Sequence, residues 1–233
     1  MQKKISSAEK TPHHVNQHAE HHTKKELIME EAKRIFAEKG FHATTMRDIA
    51  RAAESNIALI YYYFKDKEDL YHTIIDTTIS SLFSMVRTSL SMETTPEERI
   101  RAFISAYISF MGKQKYLPRI LAREMAEKGQ HLDLVAREYL QKSHSTLQET
   151  LREGSESCSF NELDYELTAL SLLGMMGFYF FAAPMVKKIL KKSSYDRQFI
   201  TKLTEHTASL FFQGIQGAKA PERAKAGIKR RAS

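Results

Sequence analysis

Apolar residues recur at helical spacing along almost the whole chain, and this feature most constrains the fold. Between Leu27 and Phe36 they stand three and four residues apart, and the same spacing returns between Leu70 and Val86. No stretch alternates apolar with polar residues over the length of a strand, and only 9 glycines and 5 prolines are present to break helices. Cap and turn signals divide the pattern into about nine or ten helices. The sequence therefore predicts an all-α fold.

Composition excludes several classes of protein. In 233 residues, 42% hydrophobic content with 13 Phe and 10 Tyr supports a packed core and argues against a disordered chain. The single cysteine, Cys158, excludes an intramolecular disulfide and a zinc cluster built on cysteines. The first twenty residues contain no apolar run, so we expect no secretory signal and a cytoplasmic protein. Without a glycine-rich phosphate loop, a nucleophile elbow or paired histidines on a helix, we expect neither an enzyme nor a cofactor or metal.

The formal net charge of +7 lies mostly at one end of the chain. Residues 218–233 hold six basic side chains and one acidic side chain, so the charge says little about the folded part. We expect residues 217–233 to be a basic flexible tail. Residues 1–22 are polar, include five histidines, and are expected to form a disordered arm.

One apolar segment leaves two interpretations open. Residues 167–186 contain no charged side chain, and twenty such residues match the length of a membrane span. A membrane-associated helical protein is therefore one alternative. Thr168, Ser171 and Pro184 interrupt the segment, which favours a buried helix of the core or of an interface.

The first third of the chain has the helix lengths of a helix-turn-helix unit. A long helix ends at Lys39 and Gly40. Thr45 with Asp48 predicts a capping box at the start of a short second helix, and Asn56 predicts the cap of a third.

The fourth helix is predicted to start at Asp66, with Asp69 completing the cap, and to reach about Leu90. On the third helix, the pattern places Ile60 and Tyr63 inward, which leaves an uncharged outer side. Such a side suits contact with thymine methyls, sugars and phosphates in a groove about 12 Å wide. The pattern alone gives equal weight to an aromatic core patch at residues 61–64.

These residues resemble the N-terminal domain of tetracycline-repressor (TetR) family regulators over about fifty positions. The matching residues are Ile28, Ala32, Phe36, Lys39, Gly40, Phe41, the run 44–50, Ala53, the run 61–64 and the run 67–70. The resemblance implies a helix-turn-helix domain over residues 23–70 and a helical effector-binding and dimerisation domain over residues 71–216. Glu54 and Ser55 depart from the family pattern, which has glycine and an apolar residue in that turn.

The resemblance also implies which residues contact DNA. The implied positions are Thr45, Arg47, Asn56, Ile57, Ala58, Leu59, Tyr61, Tyr62 and Lys67. Because Ile57 and Leu59 stand where polar residues are more usual in the family, we expect apolar contacts and DNA shape to contribute more than hydrogen-bonded base readout.

The expected partners follow from this resemblance. We expect a homodimer through the last two long helices, bound to a palindromic double-stranded DNA operator with half-sites about 34 Å apart. We expect a repressor that releases the operator when an apolar or aromatic small molecule binds the C-terminal core and favours another tilt of the fourth helix. Ordinary packing is the alternative for each candidate ligand contact. The candidates are Phe103, Tyr107, Met111, Glu124, Met125, Tyr139, His144, Met175, Phe178 and Tyr179.

Overall fold

The computed structural model describes residues 13–126 and 141–216, with side chains from residue 24 onward. Over these residues the protein has ten helices and no strand, which confirms the all-α prediction. The helices are α1 (His13–Lys39), α2 (Met46–Ala52), α3 (Ile57–Tyr63), α4 (Lys67–Leu90), α5 (Pro96–Lys113), α6 (Leu117–Ala126), α7 (Gln141–Glu156), α8 (Tyr165–Phe181), α9 (Ala183–Ile189) and α10 (Arg197–Ile215).

The chain divides into two compact units between Ile74 and Ile75, inside α4, four residues beyond the division that the sequence suggested. In the first unit, α1, α2 and α3 pack on one another. Ile28, Ile49 and Ile60 are fully buried there. Burial of such side chains contributes about 1.5–3 kcal/mol each, so this small core is enough to hold two seven-residue helices that are too short to form alone.

Side-chain caps fix the ends of the short helices as the sequence predicts. Thr45 and Asp48 form a reciprocal capping box at α2. The Asn56 side chain accepts a hydrogen bond from the Ala58 amide at α3. Before α4, the Asp69 amide donates to the Asp66 carboxylate at 2.8 Å. These bonds satisfy amides that a helix N-terminus otherwise leaves without a partner.

In the second unit, α5 contacts α7, α8 and α10. Its buried face includes Ile100, Ile104 and Ile108, one turn apart. An ion pair between Arg99 and Glu153 joins α5 to α7. The Arg101 guanidinium lies 4.3 Å from the centre of the Phe212 ring on α10.

Helix boundaries differ from the prediction at the start of α1 and at the end of α7, which the apolar spacing predicts to run from residue 132 to residue 154. The helix α1 starts at His13, whereas the sequence predicted disorder up to residue 22. Residues 13–22 carry no apolar stripe, and the prediction relied on such a stripe to recognise a helix. The helix α7 continues through Gly154 to Glu156, two residues past its predicted end. Its predicted beginning at residue 132, like the tail at 217–233 and the arm before residue 13, lies outside the described residues.

Asparagine is a frequent helix cap, and the sequence predicts that Asn161 caps α8; this prediction was wrong. Asp164, rather than Asn161, caps this helix, because its carboxylate accepts from the Leu167 amide at 2.9 Å. Asn161 instead uses its backbone: its amide donates to the Ile215 carbonyl, and its carbonyl accepts from the Ser155 hydroxyl. A cap requires a side chain at the correct distance from the first turn, and residue type alone does not give that distance.

The uncharged segment 167–186 is divided between two helices. Pro184 stands in the first turn of α9, where a proline is tolerated, and the prediction of a break there is confirmed. No helix within residues 13–126 and 141–216 is by itself long and apolar enough to cross a membrane. Together α8 and α9 reach that length and composition, but they are bent by 79° at the break.

Candidate nucleic-acid interface and ligand cavity

The turn between α2 and α3 is held by its backbone. Glu54 has a φ of 46°, in the left-handed region where the family pattern has glycine. The amide of Ser55 donates to the Ala50 carbonyl at 2.9 Å, which closes the turn. The chain therefore makes the turn with a glutamate, at a conformational cost that glycine would avoid.

The outer face of α3 consists of Ala58, Tyr61 and Tyr62, called the α3 face below. Tyr62 is 75% exposed and Tyr61 51% exposed, whereas Ile60 is fully buried. This face carries no charge. Large aromatic rings this exposed are uncommon on a folded surface and indicate a contact surface more often than isolated exposed apolar residues do.

The face is narrower than the sequence predicted. Ile57 and Leu59 are half-buried, because they flank the buried stripe of Ile60 on a seven-residue helix. Asn56 uses its side-chain oxygen for the cap, bonding the Ala58 amide at 2.9 Å. Asn56 lies at the start of α3, as predicted. Its side-chain NH2 group is the part of the amide that the cap does not use.

Thr45 and Arg47 lie exposed in the first turn of α2. The Thr45 hydroxyl donates to the Asp48 carboxylate at 2.8 Å. Hydrogen bonds from Thr45, and a weaker effect of Lys39, hold the pKa of Asp48 below its usual value. Among the described residues Arg47 makes no ion pair, so its exposed guanidinium is available to bind an anion.

Lys67 has a role that the sequence did not reveal. Its ammonium donates to the Phe41 carbonyl at 2.8 Å and to the Thr44 carbonyl at 3.0 Å. It also lies 4.3 Å from the centre of the Phe41 ring. Lys67 thus fastens the start of α4 to the loop before α2, and one of its three N–H donors remains for a phosphate.

The second unit contains an apolar cavity of about 270 Å³. Five predicted ligand contacts line it: Phe103, Tyr107, Met111, Met125 and His144. The sequence missed nine further lining residues, four of them on α4. The helical spacing of those four predicted a buried apolar stripe, but it did not show that the stripe lines a cavity. These nine are Ile79, Leu82, Phe83, Val86, Leu121, Ser143, Leu147, Leu173 and Phe181.

The other predicted ligand contacts do not line this cavity. Phe178 is 52% exposed on the outer side of α8, and Glu124 is buried elsewhere in the unit. Met175 is half-buried, and the Tyr179 carbonyl accepts from the Tyr195 hydroxyl at 2.7 Å. Composition identified apolar and polar candidates, but helix rotation decides which of them face inward. Tyr139 lies outside the described residues.

The cavity contains few polar atoms. The Nε2 atom of His144 is buried and has no hydrogen-bond partner among the described residues. Burial raises the pKa of Tyr107 to about 12, so its phenol stays neutral. Burying an unpaired polar atom costs about 1–3 kcal/mol. A ligand with a hydrogen-bonding group beside its apolar part would recover that free energy.

An apolar strip remains uncovered on the outer side of α8. Leu167, Leu170 and Phe178 are each at least half exposed there. Among the described residues, no other group lies within 4 Å of a side-chain atom built at Gly174, on the same side, so another helix has room to approach. The sequence predicts that Gly177 in the same segment also allows close approach, but Gly177 faces inward against the Phe181 ring.

The last helix has an outward apolar residue as well. Helical spacing predicts that Leu210 on α10 faces inward, but it is 51% exposed, because Phe211 and Phe212 occupy the inward positions beside it.

Comparisons with known proteins match both units. Residues 28–74 match the family described as bacterial regulatory proteins, tetR family. Residues 96–215, just over half of the chain, match the C-terminal domain of the HTH-type transcriptional dual regulator CecR. The probable HTH-type transcriptional regulator YttP of Bacillus subtilis (strain 168) is 24% identical over 177 residues, which are 75% of this chain and 86% of YttP.

Solved structures share the fold. The fatty acid degradation regulator FadR from Bacillus halodurans has a TM-score of 0.65 and 24% identity, covering 89% of this chain and 98% of that protein. The transcriptional regulator FadR from Bacillus subtilis, solved in complex with stearoyl-CoA, has a TM-score of 0.64 and 22% identity, covering 81% of this chain and 98% of that protein.

Proposed function

Since this chain belongs to the tetR family of bacterial regulatory proteins and is a transcriptional regulator, we propose that it binds its operator through the α3 face. In this proposal Ala58, Tyr61 and Tyr62 meet sugars and base edges in the major groove. Thr45 and Arg47 meet phosphates at the start of α2, where helix amides also favour an anion. In this proposal four other predicted residues mainly hold the surface in place through a cap, packing and hydrogen bonds: Asn56, Ile57, Leu59 and Lys67.

The exposure of Tyr62 is the observation that carries the proposal. A ring that is three-quarters exposed adds little to the stability of the fold. The helix that bears it is capped and anchored by Ile60, so the ring is held at the surface of a rigid element. A preorganised aromatic group loses little conformational entropy when it binds.

We propose that two copies associate through the outer sides of α8 and α10. Leu167, Leu170 and Phe178 on α8 and Leu210 on α10 supply exposed apolar area for such an interface. A symmetric dimer would present two α3 faces to two half-sites of one palindromic duplex. Apolar area of this kind is typical of interfaces between identical chains.

We propose that a small apolar or aromatic molecule in the cavity acts as the effector and releases the operator, as in a repressor. Four of the lining residues belong to α4, the helix that also carries Lys67. A ligand that binds better to one position of α4 would thereby change the affinity for DNA. The stearoyl-CoA in the related FadR structure makes acyl compounds the first ligands to test. The protein would act without catalysis, in the cytoplasm, where the bacterial chromosome lies.

The test begins by selecting duplexes that the full chain binds from a random pool at fixed salt. Tyr62→Ala is expected to weaken binding to the selected duplex about tenfold, because a contacting aromatic side chain commonly contributes more than about 1 kcal/mol. Its salt dependence should stay unchanged, since no charge is removed. Arg47→Gln should lower the slope of log affinity against log salt by about one.

Met92→Ala serves as the control, because it removes another exposed apolar side chain from a loop outside α3. All variants should keep the same oligomeric state by sedimentation. Unchanged affinity of Tyr62→Ala would show that the recognition surface lies elsewhere.

A further inference from the structure

A second cavity, of about 420 Å³, lies beside the end of α5 and the break between α8 and α9, and is called the cationic groove below. Four of its lining side chains are cationic: Lys113, Lys115, Arg119 and Lys187. Among the described residues that line it, none is Asp or Glu. Concentrated positive charge in a concave site attracts anions more strongly than the same charges dispersed over a surface.

The cationic groove adjoins the apolar cavity. Met111 and Phe181 line both of them. The Phe181 ring lies against Gly177, where a side-chain atom would come within 2.9 Å of it. Phe181 therefore forms part of the wall that the two spaces share, so the two parts of one elongated ligand would lie in adjacent spaces.

We propose that the cationic groove binds the phosphate-bearing head of an amphiphilic effector whose apolar tail occupies the apolar cavity. This assignment rests on the proposed function, because it concerns the same effector. Phosphate oxygens accept charge-assisted hydrogen bonds from lysine and arginine. The polar residues Gln114, Ser194 and Tyr195 in the same lining can bond the uncharged parts of a head group.

Another opening beside the apolar cavity is less suited to such a head. It shares Phe83, Val86 and Ser143 with the cavity. It has two cationic side chains, Arg87 and Lys142, half the number found in the cationic groove. Coulombic attraction to a head with several phosphate charges favours the site with more cations.

The two openings provide a matched pair of variants. K113Q/R119Q removes one lysine and one arginine from the cationic groove, and R87Q/K142Q removes the same two residue types from the other opening. All four side chains are exposed, so both variants should fold. Thermal unfolding followed by circular dichroism checks this.

Isothermal titration would compare decanoate, decanoyl-CoA, 1-decanoyl-glycerol 3-phosphate and coenzyme A on the full chain. A medium-length chain suits a cavity of about 270 Å³, which is small for a ligand site. Decanoyl-CoA should bind the natural protein about tenfold tighter than decanoate. K113Q/R119Q should lose most of this tenfold advantage, because two exposed ionic contacts together account for about a tenfold change in affinity. The affinity of this variant for decanoate should stay within about twofold of that of the natural protein. R87Q/K142Q should retain the advantage of decanoyl-CoA.

The two acylated probes that carry phosphate, decanoyl-CoA and 1-decanoyl-glycerol 3-phosphate, separate the possible sources of the head. If the glycerol phosphate shows the same advantage as decanoyl-CoA, the groove recognises a phosphate monoester such as that of a lipid; a smaller advantage indicates the nucleotide. Either result supports the groove, provided that K113Q/R119Q removes the advantage.

The assignment is overturned if neither phosphorylated probe binds better than decanoate, if K113Q/R119Q leaves the advantage intact, or if only R87Q/K142Q removes it. A different measurement tests the proposed function. That function is refuted if compounds that bind the protein leave its affinity for the operator unchanged.

Discussion

A substitution at Lys67 distinguishes a structural role of this side chain from a role in contacting DNA. Its ammonium makes two hydrogen bonds to carbonyls and one cation–π contact. Hydrogen bonds to charged groups contribute about 1.5–3 kcal/mol each, and an exposed cation–π contact about 0.5–1 kcal/mol. Because the site is only partly buried and water can replace the ammonium at both carbonyls, we expect Lys67→Met to lower the free energy of unfolding by about 2 kcal/mol.

Urea unfolding followed by far-UV circular dichroism measures this change. Hydrogen exchange at the Thr44 amide, which donates to the Phe41 carbonyl at 3.3 Å, reports on the loop itself and should accelerate. Lys65→Met is the matched control, since Lys65 is exposed two residues earlier and its side chain is expected to contribute nothing measurable. Unchanged stability of Lys67→Met, together with a salt slope for DNA binding lowered by about one, would refute the structural role and favour a phosphate contact.

Two further changes test the turn and the interface. Glu54→Gly should raise the free energy of unfolding by about 0.5–1 kcal/mol, because glycine adopts the left-handed conformation without steric cost. The greater entropy of glycine in the unfolded chain offsets only part of this gain. A lower urea midpoint would show that the backbone at Glu54 is not strained. Leu170→Arg should leave the fold intact but shift sedimentation from dimer to monomer and weaken operator binding, because it places a charge in the proposed interface. Met92→Arg, in the loop between α4 and α5, should remain dimeric, and a dimeric Leu170→Arg would place the interface elsewhere.

The features that the sequence predicted are local ones. A capping box requires two residues three positions apart, and Thr45 with Asp48 meet that requirement without any tertiary contact. The stripe on α5 likewise follows from helical spacing alone. The choice of Asp164 over Asn161 depended on where the preceding turn runs, because Asn161 is held there by Ile215 and Ser155, distant in sequence.

The site was predictable in part for the same reason. On α3, spacing around Ile60 placed Tyr61 and Tyr62 outward, as the structure has them. The cavity depends on the rotation of several helices at once, so Met111 and Met175 looked alike in sequence although only Met111 lines it. Lys67 looked like a surface cation, because its two carbonyl partners lie more than twenty residues away.

The strength of the Lys67 contacts sets a condition on regulation through α4. An effector that lowers operator affinity tenfold must supply about 1.4 kcal/mol of differential binding free energy. Contacts with the expected contribution of about 2 kcal/mol would exceed this amount, so we expect the start of α4 to stay bonded to Phe41 and Thr44 when an effector binds. In that case, we expect a displacement of α4 caused at Ile79 or Val86 to reach the loop that carries the cap of α2. If regulation runs this way, Lys67→Met should bind the effector normally and yet lose most of the change in operator affinity that the effector produces.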